Sequence, residues 1–268
     1  MGVPALSLLP EEVHVWLAFP DQITDEPSLT RCRSVLTPEE QAATGRFVFP
    51  RHRHQHLLTR ALQRDLLSRY TGEQPAAWRF EKNRYGRPEI SSPRLRHRLR
   101  FNLSHTDGLI ACAVTPERDV GVDVEYVGRP TRVMELAPSV FAPPELTSLQ
   151  RLHPGEQRAR FFALWTLKEA YIKARGKGLS IPLDKFSFTL EHDTEIGIDI
   201  DPSLEDDAAT WHFERTYATG EHALALAARR TDGRPLRVSY FQTIPLRTDL
   251  RIELDLRHAA RLGLVGLV

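Results

Sequence analysis

The chain has little cysteine: Cys32 and Cys112 lie far apart and are the only two in 268 residues. They support neither a disulfide framework nor a zinc site. Long apolar runs are missing, and no stretch approaches the roughly 20 residues that cross a bilayer. The opening MGVPALSLLPEEV has no basic flank or small-residue cleavage site, and Leu6 stands where a myristoylation signal needs Ser or Thr. Net charge is almost absent, at +1, which argues against a dedicated nucleic-acid binder. The expectation is a cytoplasmic, soluble monomer with no nucleic-acid and no membrane partner.

What is present is ordinary for a globular protein. Hydrophobic residues make up 41% and charged residues 26%, which excludes disordered, collagen-like and membrane-bundle classes. The length suits one large domain or two halves of ordinary size. Charge is uneven: Arg31 to Arg64 and Arg94 to Arg100 are basic, and Glu191 to Asp207 is acidic. Only five residues are lysines, and Lys168, Lys173, Lys177 and Lys185 fall within eighteen positions. In an arginine-dominated chain that clustering hints at a need for compact ammonium groups. Chance clustering on a solvated helix explains it equally well.

The patterning predicts an α+β protein. His14–Phe19 reads as a strand. Thr37-Pro38-Glu39-Glu40 reads as a capped helix start, and Arg51–Tyr70 as a long helix. Strands follow at Trp78–Lys82, Phe101–Ser104, Leu109–Thr115 and Val120–Tyr126, with a turn at Asn83–Gly86. Val133–Val140 and Pro144–Leu152 read as short helices, and Arg158–Arg175 as a long one closed by glycines. Strands are expected at Phe186–Leu190, Trp211–Tyr217 and His222–Ala228, with another possible in the acidic stretch. Each half is a long helix followed by antiparallel strands. This predicts two similar α+β halves related by a pseudo-twofold duplication, with the active site in the cleft between them. The expected divisions are 1–119, 120–243 with a metal site, and a C-terminal extension of unassigned role at 244–268.

Three patterns carry candidate chemistry. In Val120-Gly121-Val122-Asp123-Val124-Glu125, side chains alternate faces, so Asp123 and Glu125 share one. Two residues on a strand span roughly 6.5–7 Å, within reach of one hard cation such as Mg²⁺. Taken alone, the pattern reads first as an amphipathic strand with a wet acidic face. Trp165, Glu169 and Lys173 stack at spacings of four on one helix face. A Glu–Lys pair there is by default a surface ion pair, but Trp165 argues that this face is not all solvent. In Asn102-Leu103-Ser104-His105, Ser and His point to opposite faces and make no nucleophile–base pair. Arg87 sits in a turn, and no phosphate-binding P-loop is present.

In order and spacing these blocks resemble the Sfp-type 4′-phosphopantetheinyl transferases. FNLSHTDG, GVDVE and WTLKEAYIKARGKGL match the family's three blocks, and NRYGRPEI its upstream Tyr-Gly-Lys-Pro block with Arg for Lys. The resemblance covers roughly residues 35–230. It implies coenzyme A (CoA) as co-substrate, Mg²⁺ with Mn²⁺ as substitute, and an apo acyl or peptidyl carrier protein as partner. It assigns Asp123, Glu125 and Glu169 to the metal, Glu169 also as base, and Lys173 to the reacting phosphate. Arg87, Ser104 and His105 fall where the family holds the 3′-phosphate and adenosine, with Arg46 and Lys168 as further CoA contacts. Glu40 and Ala43 stand where some members carry lysines, and Arg51 or Arg53 are candidates to replace them. Gly176–Leu183 and Val133–Leu152 are the expected carrier surface. The competing classes are another metal-dependent phosphotransferase or nuclease, and an inactive module that only binds CoA or a carrier.

Overall fold

Alternating apolar residues in Glu12–Ala18 form the first strand, β1, which is buried along nearly all its length. Three helices follow. In α1 (Glu26–Ser34) the Asp25 carboxylate accepts the Ser28 N–H at 3.0 Å. In α2 (Pro38–Gly45) Thr37 and Glu40 satisfy each other's backbone N–H groups in a capping box. The third, α3 (Pro50–Thr71), runs 22 residues and stops at Gly72, whose φ of 79° suits a residue without Cβ. The Asn83 side chain accepts the Tyr85 and Arg87 N–H groups and shapes the turn between β2 (Arg79–Lys82) and β3 (Pro88–Ser92). The longer hairpin of β4 (Leu99–Thr106) and β5 (Leu109–Pro116) follows.

The succession recurs. Strand β6 (Val120–Tyr126) leads to α4 (Val133–Val140), α5 (Pro143–Gln150) and the 22-residue α6 (Pro154–Arg175), which ends at Gly176 with φ 64°. A short hairpin of β7 (Phe186–Leu190) and β8 (Ile196–Ile200) precedes a long one of β9 (Trp211–Thr219) and β10 (His222–Arg229). Two strands close the chain, β11 (Arg237–Ile244) and β12 (Thr248–Ile252). The protein is α+β, as expected. This computed structural model describes residues 5–190, 195–230 and 235–254.

The chain divides into two compact units. The first holds residues up to 117 together with 236–253, and the second holds 118–235. In the first unit the strands run β4-β5-β1-β11-β12, with β1 antiparallel to β5 and parallel to β11. Helix α3 buries Leu58, Leu62 and Leu66 against Trp16, Trp78, Ile110 and Val114. In the second unit the antiparallel sheet runs β6-β10-β9. Helix α6 buries Phe162, Leu167 and Tyr171 with Phe186, Trp211 and the alanines of β10.

The expected boundaries differ from these units at the C-terminal side. Residues 237–244 were expected to straddle the end of the second half; as β11 they pair with β1 instead, and Phe241 stacks on Trp16 at 4.3 Å. Residues 248–252, expected in an unassigned extension, form β12 on the outer edge of β11. The reason lies in long-range partners: β1 has an open edge, and Asp249 is clasped by Arg69 of α3. The remainder of the expected extension, 255–268, lies outside the described residues.

Candidate functional site

Strand β6 and helix α6 meet with no side chain between them at Gly121. A Cβ there would lie 2.0 Å from the Ala170 carbonyl oxygen and 2.5 Å from the Ala174 nitrogen. The neighbouring strand is also cut back: Gly121, Asp123 and Glu125 pair with Ala227, Ala225 and Ala223 of β10, three alanines buried in the α6 core. Small residues thus let the helix come down onto the sheet, and the two carboxylates of β6 project on the side it covers.

The helix meets them with one face. Lys173 Nζ lies 2.6 Å from Asp123 Oδ1 and donates at 3.3 Å to the Val122 carbonyl. Trp165 Nε1 donates to Glu125 Oε1 at 2.9 Å. Glu169 falls between Trp165 and Lys173 on the same stripe. The face is therefore tied to the strand, and Lys173 makes a cross-element contact that a bare surface pair would not provide. Asp123 is buried, while Glu125, Glu169 and Lys173 are partly open.

Burial and mutual charge act on these groups together. Burial, then the charges of Asp123 and Glu125, push the Glu169 carboxyl above its ordinary value, with Lys173 opposing. Burial and Asp123 do the same to Glu125, opposed by Arg129, Trp165 and Lys173. Arg129 Nη1 stands 3.0 Å from Glu125 Oε2. Among the described residues no three His, Cys, Asp or Glu side chains are placed to hold a metal ion as they stand. In chemistry the set fits a hard cation: its possible ligands are carboxylates that raise one another's pKa, the repulsion a divalent ion relieves.

Of the other candidates, Arg46, Arg87, Ser104 and His105 belong to the first unit and Lys168 to the second. Arg46 is exposed at the end of α2. Arg87 is nearly buried, its Nε 3.8 Å from Glu89, which also takes Arg100 at 2.7 Å. On β4, Ser104 is buried and His105 exposed, on opposite faces as the strand requires. Lys168 corrects an expectation. It was placed among the CoA contacts, but its side chain is 0% exposed, with Nζ 2.6 Å from Glu145 and 2.7 Å from the Phe186 carbonyl. One position away from Glu169 the helix turns about 100°, which takes Lys168 into the core.

Sequence reading passed over Arg129, Glu145 and the spatial role of Gly121. Arg129 had a readable signal, four residues beyond Glu125. Glu145 had a weaker one, at the third position of a Pro-initiated helix, where its carboxylate accepts the Ala142 N–H at 2.9 Å.

Comparison with known proteins gives the family. A family described as the 4′-phosphopantetheinyl transferase superfamily matches residues 119–227, and one described as 4′-phosphopantetheinyl transferase, N-terminal, matches 24–117. The 4′-phosphopantetheinyl transferase HetI of Nostoc sp. is 40% identical over 179 residues, covering 66% of this chain and 74% of that protein. A 4′-phosphopantetheinyl transferase of Bacillus subtilis is 34% identical over 203 residues, covering 75% and 86%. The Sfp enzyme of Bacillus subtilis (strain 168) is 32% identical over 191 residues, covering 71% and 83%. The chain is therefore a transferase. More narrowly, it belongs to the 4′-phosphopantetheinyl transferase superfamily.

Proposed function

We propose that the enzyme moves the phosphopantetheine arm of CoA onto a serine hydroxyl of an apo acyl or peptidyl carrier protein. The observation that carries this reading is the Lys173–Asp123 contact of 2.6 Å beside two carboxylates that feel each other's charge. In the reaction the serine oxygen forms a bond to the phosphorus bearing the pantetheine arm. The pyrophosphate P–O bond breaks, and adenosine 3′,5′-bisphosphate leaves. Phosphoryl transfer asks mainly for positioning and charge stabilisation. Lys173 supplies a compact positive charge at a partly desolvated position, where a cation is worth more than in water. Glu169 takes the serine proton, directly or through one water. Asp123, Glu125 and Glu169 would hold Mg²⁺, or Mn²⁺ in its place. When bound, the ion neutralises charge on the diphosphate.

Binding of CoA is assigned to the first unit's Arg46, Arg87, Ser104 and His105, with Arg87 and His105 on the 3′-phosphate. That phosphate takes no part in bond making, so these residues supply binding and orientation. The carrier is assigned to the groove where α4 meets the 181–184 segment. It has a volume of about 480 Å³ and is lined by Pro138, Val140, Ile181 and Leu183. Leu136 is exposed on the same helix. The groove joins the two segments expected to receive the carrier. The repeated succession of elements supports reading the chain as a duplicated α+β unit. No described helix is long and apolar enough to cross a membrane.

The test is mass spectrometry of apo-carriers incubated with the enzyme, CoA and Mg²⁺. A mass gain of one phosphopantetheine, abolished by EDTA and restored by Mg²⁺, is expected. CoA turnover without carrier modification would point to another phosphotransferase, and CoA binding without turnover to an inactive module.

A further inference from the structure

The acidic stretch that ends at Asp207 has no part in the transfer scheme, yet one of its members is among the best-held side chains in the second unit. Asp206 is 3% exposed. Its Oδ2 accepts the Tyr171 hydroxyl at 2.7 Å, Arg175 Nη1 at 2.6 Å and Trp211 Nε1 at 2.9 Å, while Oδ1 accepts Arg229 Nη2 at 2.8 Å. Burial disfavours the charge, but these donors outweigh it and hold the carboxyl below its usual pKa. The charged form is thus the one that the surroundings are built for.

Two of the donors, Tyr171 and Arg175, belong to α6, each two residues from Lys173. At about 100° per residue, a two-residue step places them some 200° around the helix, opposite the Glu169–Lys173 stripe. The other two, Trp211 and Arg229, stand on β9 and β10, and Arg229 also lies over the Trp211 ring at 4.6 Å. We infer that Asp206 is a positioning residue: it clamps the back of α6 to the sheet and so sets the rotation and axial position at which Glu169 and Lys173 meet Asp123. The front of the helix rests on Gly121 and is tied to β6 through the side chains of Lys173 and Trp165, which belong to the site itself; the Asp206 cluster holds the back of the helix independently of them. A displacement on the order of 1 Å at a reacting group can cost a hundredfold in rate.

This inference rests on the transferase reading, so its test has an arm that needs no turnover. Asp206→Asn keeps the shape and removes the charge; Tyr171→Phe removes one donor and no charge. Steady-state kinetics well below each variant's melting temperature should show kcat reduced at least tenfold in Asp206→Asn and at least threefold in Tyr171→Phe, with KM for CoA and for the carrier within twofold of wild type. Independently, the indole ¹H–¹⁵N resonance of Trp165, which bonds Glu125 across the α6–β6 joint, should shift in both variants. Folded Asp206→Asn with wild-type kcat and only a lower melting temperature overturns the inference. If Asp206→Asn does not fold, wild-type kcat with an unmoved Trp165 resonance in Tyr171→Phe overturns it instead. If wild type modifies no carrier, the transferase reading falls, and the Trp165 resonance still decides the clamp.

Discussion

The two units differ most where the long helix meets the first strand. In β1 the side toward α3 carries Trp16, which is fully buried, and His14; both bond the Tyr70 hydroxyl of α3, at 2.8 and 2.7 Å. The neighbouring β5 adds Ile110, Cys112 and Val114 to the same core. In the second unit the corresponding layer is Gly121, Asp123 and Glu125 on β6 with three alanines on β10. One joint is filled with aromatic and branched side chains and sealed. The other is emptied of volume, and carboxylates stand where apolar groups would otherwise seal it. The helices follow suit. On α3, Arg64 and Arg69 are buried and tied to Glu40 and Asp249. On α6, Lys168 is buried in the same manner, but Glu169 and Lys173 are left partly open beside the strand. The same succession of elements thus yields one joint sealed by apolar groups and one lined by carboxylates and a lysine, and the difference lies in a few helix-facing positions.

The sharpest way to break this contrast is to exchange the fates of two lysines on α6. Lys168→Met leaves Glu145 buried without its partner and should cost about 3–5 kcal/mol of stability, while the folded fraction keeps its turnover within about threefold. Lys173→Met should do the reverse, losing less stability than Lys168→Met because Lys173 is 26% exposed where Lys168 is 0%, and at least tenfold in turnover. Urea melts and carrier modification rates read both; the opposite allocation would mean that the buried and reactive roles are misassigned. Next in size is Gly121→Ala. The new methyl meets helix backbone, which cannot rotate away, so about 3 kcal/mol of stability and roughly a hundredfold in rate should go as α6 is pushed off β6. A variant with normal melt and rate would show that the close approach is not needed.

The smallest effect probes the sealed unit. Asp65 on α3 accepts the Leu246 N–H at 3.0 Å, and burial raises its pKa to about 6 against the pull of that bond and of Arg69. The folded state therefore holds its proton at pH values where the unfolded chain, near pKa 3.9, has lost it. Its stabilising contribution is complete below about pH 4 and is lost as pH rises through 6, a change on the order of 2–3 kcal/mol. Asp65→Asn keeps an acceptor for Leu246 and should flatten this loss. Stability–pH curves from urea melts that run parallel in wild type and variant would contradict the assignment.

Much of this was legible from local pattern. The alternation in GVDVE correctly put Asp123 and Glu125 on one face, and spacings of four put Trp165, Glu169 and Lys173 on another. The Thr37–Glu40 capping box and the glycine stop of α6 were also readable, because each is decided within four or five residues. What escaped depended on partners distant in sequence. The pairing of β11 with β1 joins residues more than 220 positions apart, and RVSYFQTI has too little alternation to announce a strand by itself. Lys168 looked like one of a run of active lysines; only the presence of Glu145 in its path makes it structural. Asp206 was one acid among many until the folded chain brought four donors around it.

The central claim is that the α6–β6 joint of the second unit is where transfer is catalysed. The most direct measurement is the single-turnover rate of phosphopantetheine transfer by Asp123→Asn, with its thermal melt recorded alongside. Asparagine keeps the shape and an acceptor for Lys173 but removes the charge. The account predicts a fall of at least about a hundredfold with Mg²⁺ present and a melting temperature close to wild type, in line with the loss of one preorganised electrostatic group. A wild-type rate in the folded variant would contradict it and move the chemistry away from this joint.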